Sequence, residues 1–252
     1  MVRQLIGIFA LACAIPGSAF SADPKVPPAK DPGLVPVALV GSGIDYTDMS
    51  LAQRLARDGE GNIVGWDFVD NDIFPYSKDA VSNAQASLLL ANPGVELVPV
   101  RVDAADYKGA GGAASFLSRT PVRIVVVTMT SQKKEDWAIF TKAAEAFGKL
   151  LFVVPAGEAA ALYPASLNLA NVLSVTTPLA KADGANVAMA VPAETAAGLE
   201  ASTAAAIVLA TALATCHASA LGEGDGKAMK TAAIAMAKRR SAAFIPAIEP
   251  CH

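Results

Sequence analysis

Histidine is what this chain has least of. Its 252 residues include two, His217 and His252, both near the C-terminal end. Chemistry that needs an imidazole base therefore has only those two to draw on. Cysteine is also scarce, with three in the whole chain. No apolar run approaches the roughly 20 residues that a spanning helix needs, the longest at the N-terminus being about a dozen. Charge of either sign is not in excess: 20 basic residues stand against 23 acidic, a net of −3. That mild acidity gives no reason to expect nucleic acid or an anionic membrane as partner. Internal repeats, long charged tracts and low-complexity stretches are missing too, and the chain reads as one domain.

The first 22 residues have the layout of a secretory signal. Arg3 supplies the positive start, Leu5 to Ile15 the apolar stretch, and Pro16-Gly17 breaks it before small residues. Cleavage is expected after Ser21 or Ala22, which makes the protein exported, to the periplasm or beyond, with no membrane insertion after processing. A lipid anchor at Cys13 is disfavoured because Ala10, not leucine, stands three positions before it. Removing Arg3 takes the 20 basic residues to 19 against 23 acidic, a net of −4. Residues 23–33 (DPKVPPAKDPG) are rich in proline and charge and read as an extended tether. Residues 34–252 are enough for one α/β domain with a sizeable core.

The processed chain keeps Cys216 and Cys251. In an oxidising compartment an even pair is most simply a disulfide, with free thiols as the other reading. Each is followed by histidine, which invites a four-ligand metal site. Adjacent residues rarely point at one tetrahedral ion, so no metal and no cofactor is expected.

Short apolar runs alternate with alanine-rich helical stretches, the pattern of a mostly parallel sheet covered on both faces: an α/β, three-layer sandwich. Strands are expected at 36–40, 62–66, 97–102, 122–129, 150–155, 172–176 and 187–190. Helices are expected at 50–57, 77–90, 111–118, 134–148, 195–221 and 226–241. Trp66, Trp137 and Phe152 read as core, and Lys238-Arg239-Arg240 as charges complementing the negative end of the last helix.

Several segments follow one another in an order that resembles a known family. Val37-Ala38-Leu39-Val40-Gly41-Ser42-Gly43-Ile44-Asp45-Tyr46 is followed by Gly65-Trp66-Asp67-Phe68-Val69-Asp70-Asn71-Asp72, then by Val95-Glu96-Leu97-Val98-Pro99-Val100-Arg101-Val102. Next come Leu150-Leu151-Phe152-Val153-Val154-Pro155-Ala156-Gly157-Glu158 and Tyr163-Pro164-Ala165-Ser166-Leu167-Asn168-Leu169-Ala170-Asn171-Val172-Leu173-Ser174-Val175. Asn186-Val187-Ala188-Met189-Ala190-Val191-Pro192 and Ala201-Ser202-Thr203-Ala204-Ala205-Ala206-Ile207-Val208 complete the series. Together they resemble the subtilisin-like serine peptidases over most of the processed domain, which implies that family's subtilisin-like fold.

The family's chemistry needs a serine nucleophile, a histidine base, an aspartate that orients the imidazole, and a side-chain amide that helps to hold the oxyanion. The resemblance places Gly41 at the aspartate, Gln85 at the histidine, Glu158 at the oxyanion amide and Ser202 at the nucleophile. Gly41 has no side chain, and glutamine does not exchange a proton near neutral pH. A glutamate would repel a developing oxyanion. Neither histidine is a ready substitute: along one continuous helix from Ser202, at ~1.5 Å per residue, His217 would lie about 22 Å away. His252 is on the tail.

The implied function is a secreted pseudopeptidase that binds a peptide or protein partner without turnover. An active serine-type endopeptidase with a rearranged site is the alternative. Family members hold substrate as an added strand, and the resemblance puts that edge at Thr130-Ser131-Gln132. A nucleotide-binding turn at Gly41-Ser42-Gly43, with Asp67 further on, fails because Tyr46 stands where the third glycine is needed. Asp67, Asp70 and Asp72 have the oxygen ligands for calcium, but an acidic loop after a strand is more often simply solvated.

Overall fold

The computed structural model describes residues 23–103, 105–157, 162–177, 189–190 and 198–240. Within them lies a seven-stranded sheet in the order β2-β3-β1-β4-β5-β6-β7, parallel at every pairing. The strands are β1 (Val35–Gly41), β2 (Trp66–Asp67), β3 (Val95–Arg101), β4 (Ile124–Val127), β5 (Leu151–Pro155), β6 (Val172–Thr176) and β7 (Met189–Ala190). The helices are α1 (Met49–Ala52), α2 (Ala80–Leu90), α3 (Lys108–Leu117), α4 (Ala138–Ala146), α5 (Ala201–Ala214), α6 (Ala218–Leu221) and α7 (Gly226–Arg240).

Side chains alternate across the sheet and define two cores. Val37, Leu39, Leu97, Val126, Val153 and Leu173 face one way, toward α2, α5 and α7. Ala38, Val40, Val98, Val125, Phe152 and Val154 face the other, toward α3 and α4. Both faces are buried, so these strands read as unbroken apolar runs. The α/β sandwich expected from the sequence is the architecture observed.

Helix α5 is buried all round, with only Ala201 and Val208 partly exposed. Its alanines combine high helix propensity with little bulk, which lets it lie close against β4, β5 and β6. Helix α7 is one-sided: Met229, Ala233 and Ala237, four residues apart, are buried. At its start Gly226 approaches β5 so closely that a Cβ would lie 2.0 Å from the Leu150 carbonyl oxygen. Beneath α3 and α4, Tyr107, Trp137, Phe140 and Phe152 form a chain of rings with centroids 5.1, 5.4 and 5.1 Å apart.

Three elements depart from expectation. The strand expected at 62–66 shrinks to Trp66–Asp67, because Asp58 Oδ1 accepts from the Glu60 and Asn62 amides and turns the chain tightly there. The helix expected at 50–57 stops at Ala52: Leu55 bridges to Leu97, extending the sheet's hydrogen bonding. The long helix expected at 195–221 breaks at Thr215, where φ −113° and ψ −89° leave the helical region. Residues 23–33, expected as an extended tether, have no helix or strand assigned and are fastened to the body. Tyr46 Oη donates to the Pro24 carbonyl at 3.0 Å, Arg57 Nη2 to the Pro27 carbonyl at 3.0 Å, and the Leu34 amide to Glu96 Oε2 at 3.0 Å.

Trp137 is fully buried, and its indole donates to Ser131 Oγ at 3.1 Å. Trp137→Ala is expected to lower unfolding free energy by about 3–5 kcal/mol. Val69→Ala, at an exposed position, should stay within about 0.5 kcal/mol. Paired urea melts measure both.

Candidate functional site

The expected site falls at the carboxyl ends of β1 and β4. These neighbours mark the point where the strand order reverses, β3 lying on one side of β1 and β4 on the other, and such points open crevices in α/β sheets. A pocket of ≈ 160 Å³ lies there, lined by Gly41, Ser42, Ser82, Gln85, Thr128 and Thr130 among others.

The structure brings the positions matched to the family's aspartate and histidine side by side. A Cβ on Gly41 would lie 2.9 Å from Thr128 Oγ1 and 3.7 Å from Gln85 Oε1. The space a carboxylate would need is thus already claimed by the Thr128 hydroxyl, which donates to the Val40 carbonyl at 3.3 Å. Gln85 is 93 % buried. It projects from α2, whose start is set by Asp79. That carboxylate caps the helix, accepting from the Val81 and Ser82 amides and from Ser82 Oγ at 2.8 Å.

Ser202 is not among the residues lining this pocket. It sits one position inside the N-terminus of α5, has no exposed surface, and donates through Oγ to Glu200 Oε1 at 3.0 Å. Glu158, Cys251 and His252 lie outside the described residues, as do the signal segment and most of the segment around β7. His217 stands at the first position before the short α6, beyond the far end of α5 from Ser202, and its side chain makes no capping bond. Lys238, Arg239 and Arg240 fall in the last turn of α7.

The strand edge anticipated at Thr130-Ser131-Gln132 is occupied from within. Ser131 N donates to the Tyr163 carbonyl at 3.0 Å, and Tyr163 N donates back to the Ser131 carbonyl at 2.8 Å. Tyr107 Oη takes up the Thr130 carbonyl at 3.0 Å. The expectation that the Ser131 amide is free to pair with an added peptide is therefore corrected: the chain supplies that strand itself. Thr130 still lines the pocket, and Gln132 is exposed.

The acidic loop after β2 is open to solvent at Asp70 and Asn71, and its one buried carboxylate is Asp67. Asp67 is fully buried, ion-paired with Arg101 at 2.8 Å, and accepts from the Val69 and Asp70 amides. Arg101 also meets Asp70 at 2.6 Å. An aspartate so engaged is closed to a ribose. Among the described residues no cluster of three or more metal-ligating side chains occurs, and no helix is long and apolar enough to cross a membrane. The residue sequence reasoning underrated is Asn171. In the best-matching segment, its Nδ2 donates to the Ala144 and Leu150 carbonyls at 2.8 and 3.0 Å, tying α4 to β5. Its place between two apolar stretches was the available signal.

No protein-family model matches the chain, and no curated protein matches it. Solved structures do. The S41 psychrophilic protease superposes with a TM-score of 0.58 at 14% identity, over 78% of this chain and 80% of that one. The PatG macrocyclase in complex with peptide gives 0.53 at 15% identity, over 80% and 81%. The patellamide maturation protease PatG gives 0.51 at 14% identity over the same shares. The class defined is that of subtilisin-like folds, which is what the ordered segments implied. At these identities the likeness shows the fold alone.

Asp79 also carries a pH signature. The Ser82 hydroxyl, more than any other group, holds its carboxyl below the usual range. A carboxyl lowered in the folded state contributes stability above its unfolded pKa and loses it as pH falls through the folded value. Asp79→Ala should therefore cost about 1–2 kcal/mol at neutral pH. Chemical denaturation in an acid series should show that gap closing below the ordinary carboxylate value of about 3.9.

Proposed function

We propose that this chain is an exported subtilisin-fold protein that does not hydrolyse peptide bonds and acts by binding a peptide or protein partner. One observation carries the reading. Where the family's aspartate and histidine would stand, Gly41 and Gln85 face each other, and the Thr128 hydroxyl fills the space between the strands. A neutral amide takes no proton from a serine, and a glycine orients nothing. Ser202 supports the same conclusion, since its buried hydroxyl is committed to Glu200. Losing the nucleophile or its base alone costs subtilisin on the order of 10⁶ in kcat, a general example in which the base is removed from an otherwise intact site. Purified protein should remain unlabelled by a fluorophosphonate probe and should leave casein intact. Stoichiometric labelling at Ser202 would overturn the reading and favour a rearranged active endopeptidase.

Export brings with it a Cys216–Cys251 bridge. Cys216 is exposed just beyond the end of α5, and the signal layout places both cysteines in an oxidising compartment. The bridge would close a loop of about 35 residues, and the chain-entropy model assigns it roughly 3–4 kcal/mol. Mass spectrometry after alkylation without reductant should find neither thiol modified in protein from the envelope fraction. Alkylation of both would show that no bridge forms.

A further inference from the structure

The pocket at the ends of β1 and β4 contains one group that the fold leaves unused. Gln85 is 93 % buried as a residue and lines the pocket; its amide makes no hydrogen bond to a described residue and still reaches the solvent of the pocket. At the wall of a pocket such an amide bonds water in the free protein, and a ligand that displaces that water must supply a donor and an acceptor in its place. The amide is therefore half of an interaction whose other half comes from outside. Its Oε1 lies 3.7 Å from where a Cβ on Gly41 would stand.

We infer that this pocket receives a primary carboxamide, the side chain of a glutamine or asparagine on a peptide or protein partner. Three features define that chemistry. An amide offers a donor and an acceptor together, and its complement is another amide in the reverse order. Among the described residues the lining contains no cation, and its one charged side chain is Asp79, an anion held by the cap of α2. A carboxylate ligand would meet that negative charge in a confined space, whereas a neutral carboxamide does not. Finally, ≈ 160 Å³ admits one side chain of glutamine size. A partner's main chain has no comparable place, since the backbone of Ser131 is already bonded to Tyr163. Recognition thus passes from the strand edge to a side chain. The Thr128 hydroxyl donates to Val40, and its oxygen keeps a lone pair to accept from the incoming amide.

This inference rests on the reading of the site as one that binds without cleaving, and a single titration separates the two. The probes are capped tripeptides, Ac-Ala-X-Ala-NHMe, with X glutamine, glutamate or methionine; the N-methyl cap keeps any second primary carboxamide out of the probe. Protein-observed NMR should show saturable binding of the glutamine peptide, with shifts at Gln85 and Thr128. Affinities for the glutamate and methionine peptides should be at least about tenfold weaker, the loss of one well-made buried hydrogen bond. Gln85→Met keeps the length of the side chain and should abolish the preference for glutamine while leaving the thermal midpoint near that of the parent. Gly41→Ala, whose methyl group would press on Thr128 Oγ1 at 2.9 Å and lie 3.7 Å from Gln85 Oε1, should weaken the glutamine peptide by a similar factor, its folding checked by the same thermal midpoint. Equal affinity for the three peptides, no binding of any, or a preference that survives both substitutions overturns the inference. Hydrolysis of a bound peptide overturns the non-catalytic reading and leaves the carboxamide pocket standing. Absent binding without hydrolysis does the reverse.

Discussion

Strand β1 is the constraint on which the rest depends. It is bonded along its length to β3 on one flank and to β4 on the other, and its middle residues are buried on both faces. Its buried backbone groups must be paired once water is excluded, and β3 and β4 supply those partners. The carboxyl end of β1 is equally determined. The Gly41 carbonyl accepts from Val102 N at 2.8 Å, and Thr128 N donates to the Val40 carbonyl at 3.1 Å. Gly41 is thus locked between β3 and β4, with the Thr128 hydroxyl where a larger side chain would begin. The pocket is what remains above that lock.

The segments that carry the family resemblance divide by what their residues do here. Arg101 and Asp67 neutralise one another at the end of β2 and β3, and Asp67 anchors the following turn through two backbone amides. Asn171 joins α4 to β5, and Tyr163 pairs with Ser131. Each of these side chains or backbone groups satisfies a polar partner that burial would otherwise leave unpaired, and each is required by folding alone. The positions matched to proton transfer have no such duty, and they are the ones occupied by Gly41 and Gln85. A fold of this kind survives the loss of its chemistry because the two sets of residues scarcely overlap.

Exposure separates the candidate surfaces in the same way. Ser202 is shut away by its own helix start, and the Ser131 edge is sealed by Tyr163, Trp137 and Tyr107. Gln85 is deeply buried and turns its amide to an open pocket. A capped helix start holds it there: Asp79 fixes where α2 begins, and Gln85 lies on the turns that follow.

By itself the sequence determined the layered α/β class, because strands buried on both faces must be apolar without interruption, as at 36–40, 150–155 and 172–176. It also marked Gly41 and Gln85 as chemically unfit for a triad, since residue identity alone decides whether a proton can be exchanged. It misplaced the start of β2 and the ends of α1 and α5, where local hydrogen bonds at Asp58 and bridges at Leu55 outweigh propensity. Only the tertiary structure decided that Gly41 and Gln85 stand together and that the Ser131 edge is already taken. Both facts depend on contacts between residues more than thirty positions apart, which no local pattern encodes. The charge of Asp67, legible as an acidic loop, became a buried ion pair only when β3 brought Arg101 beside it.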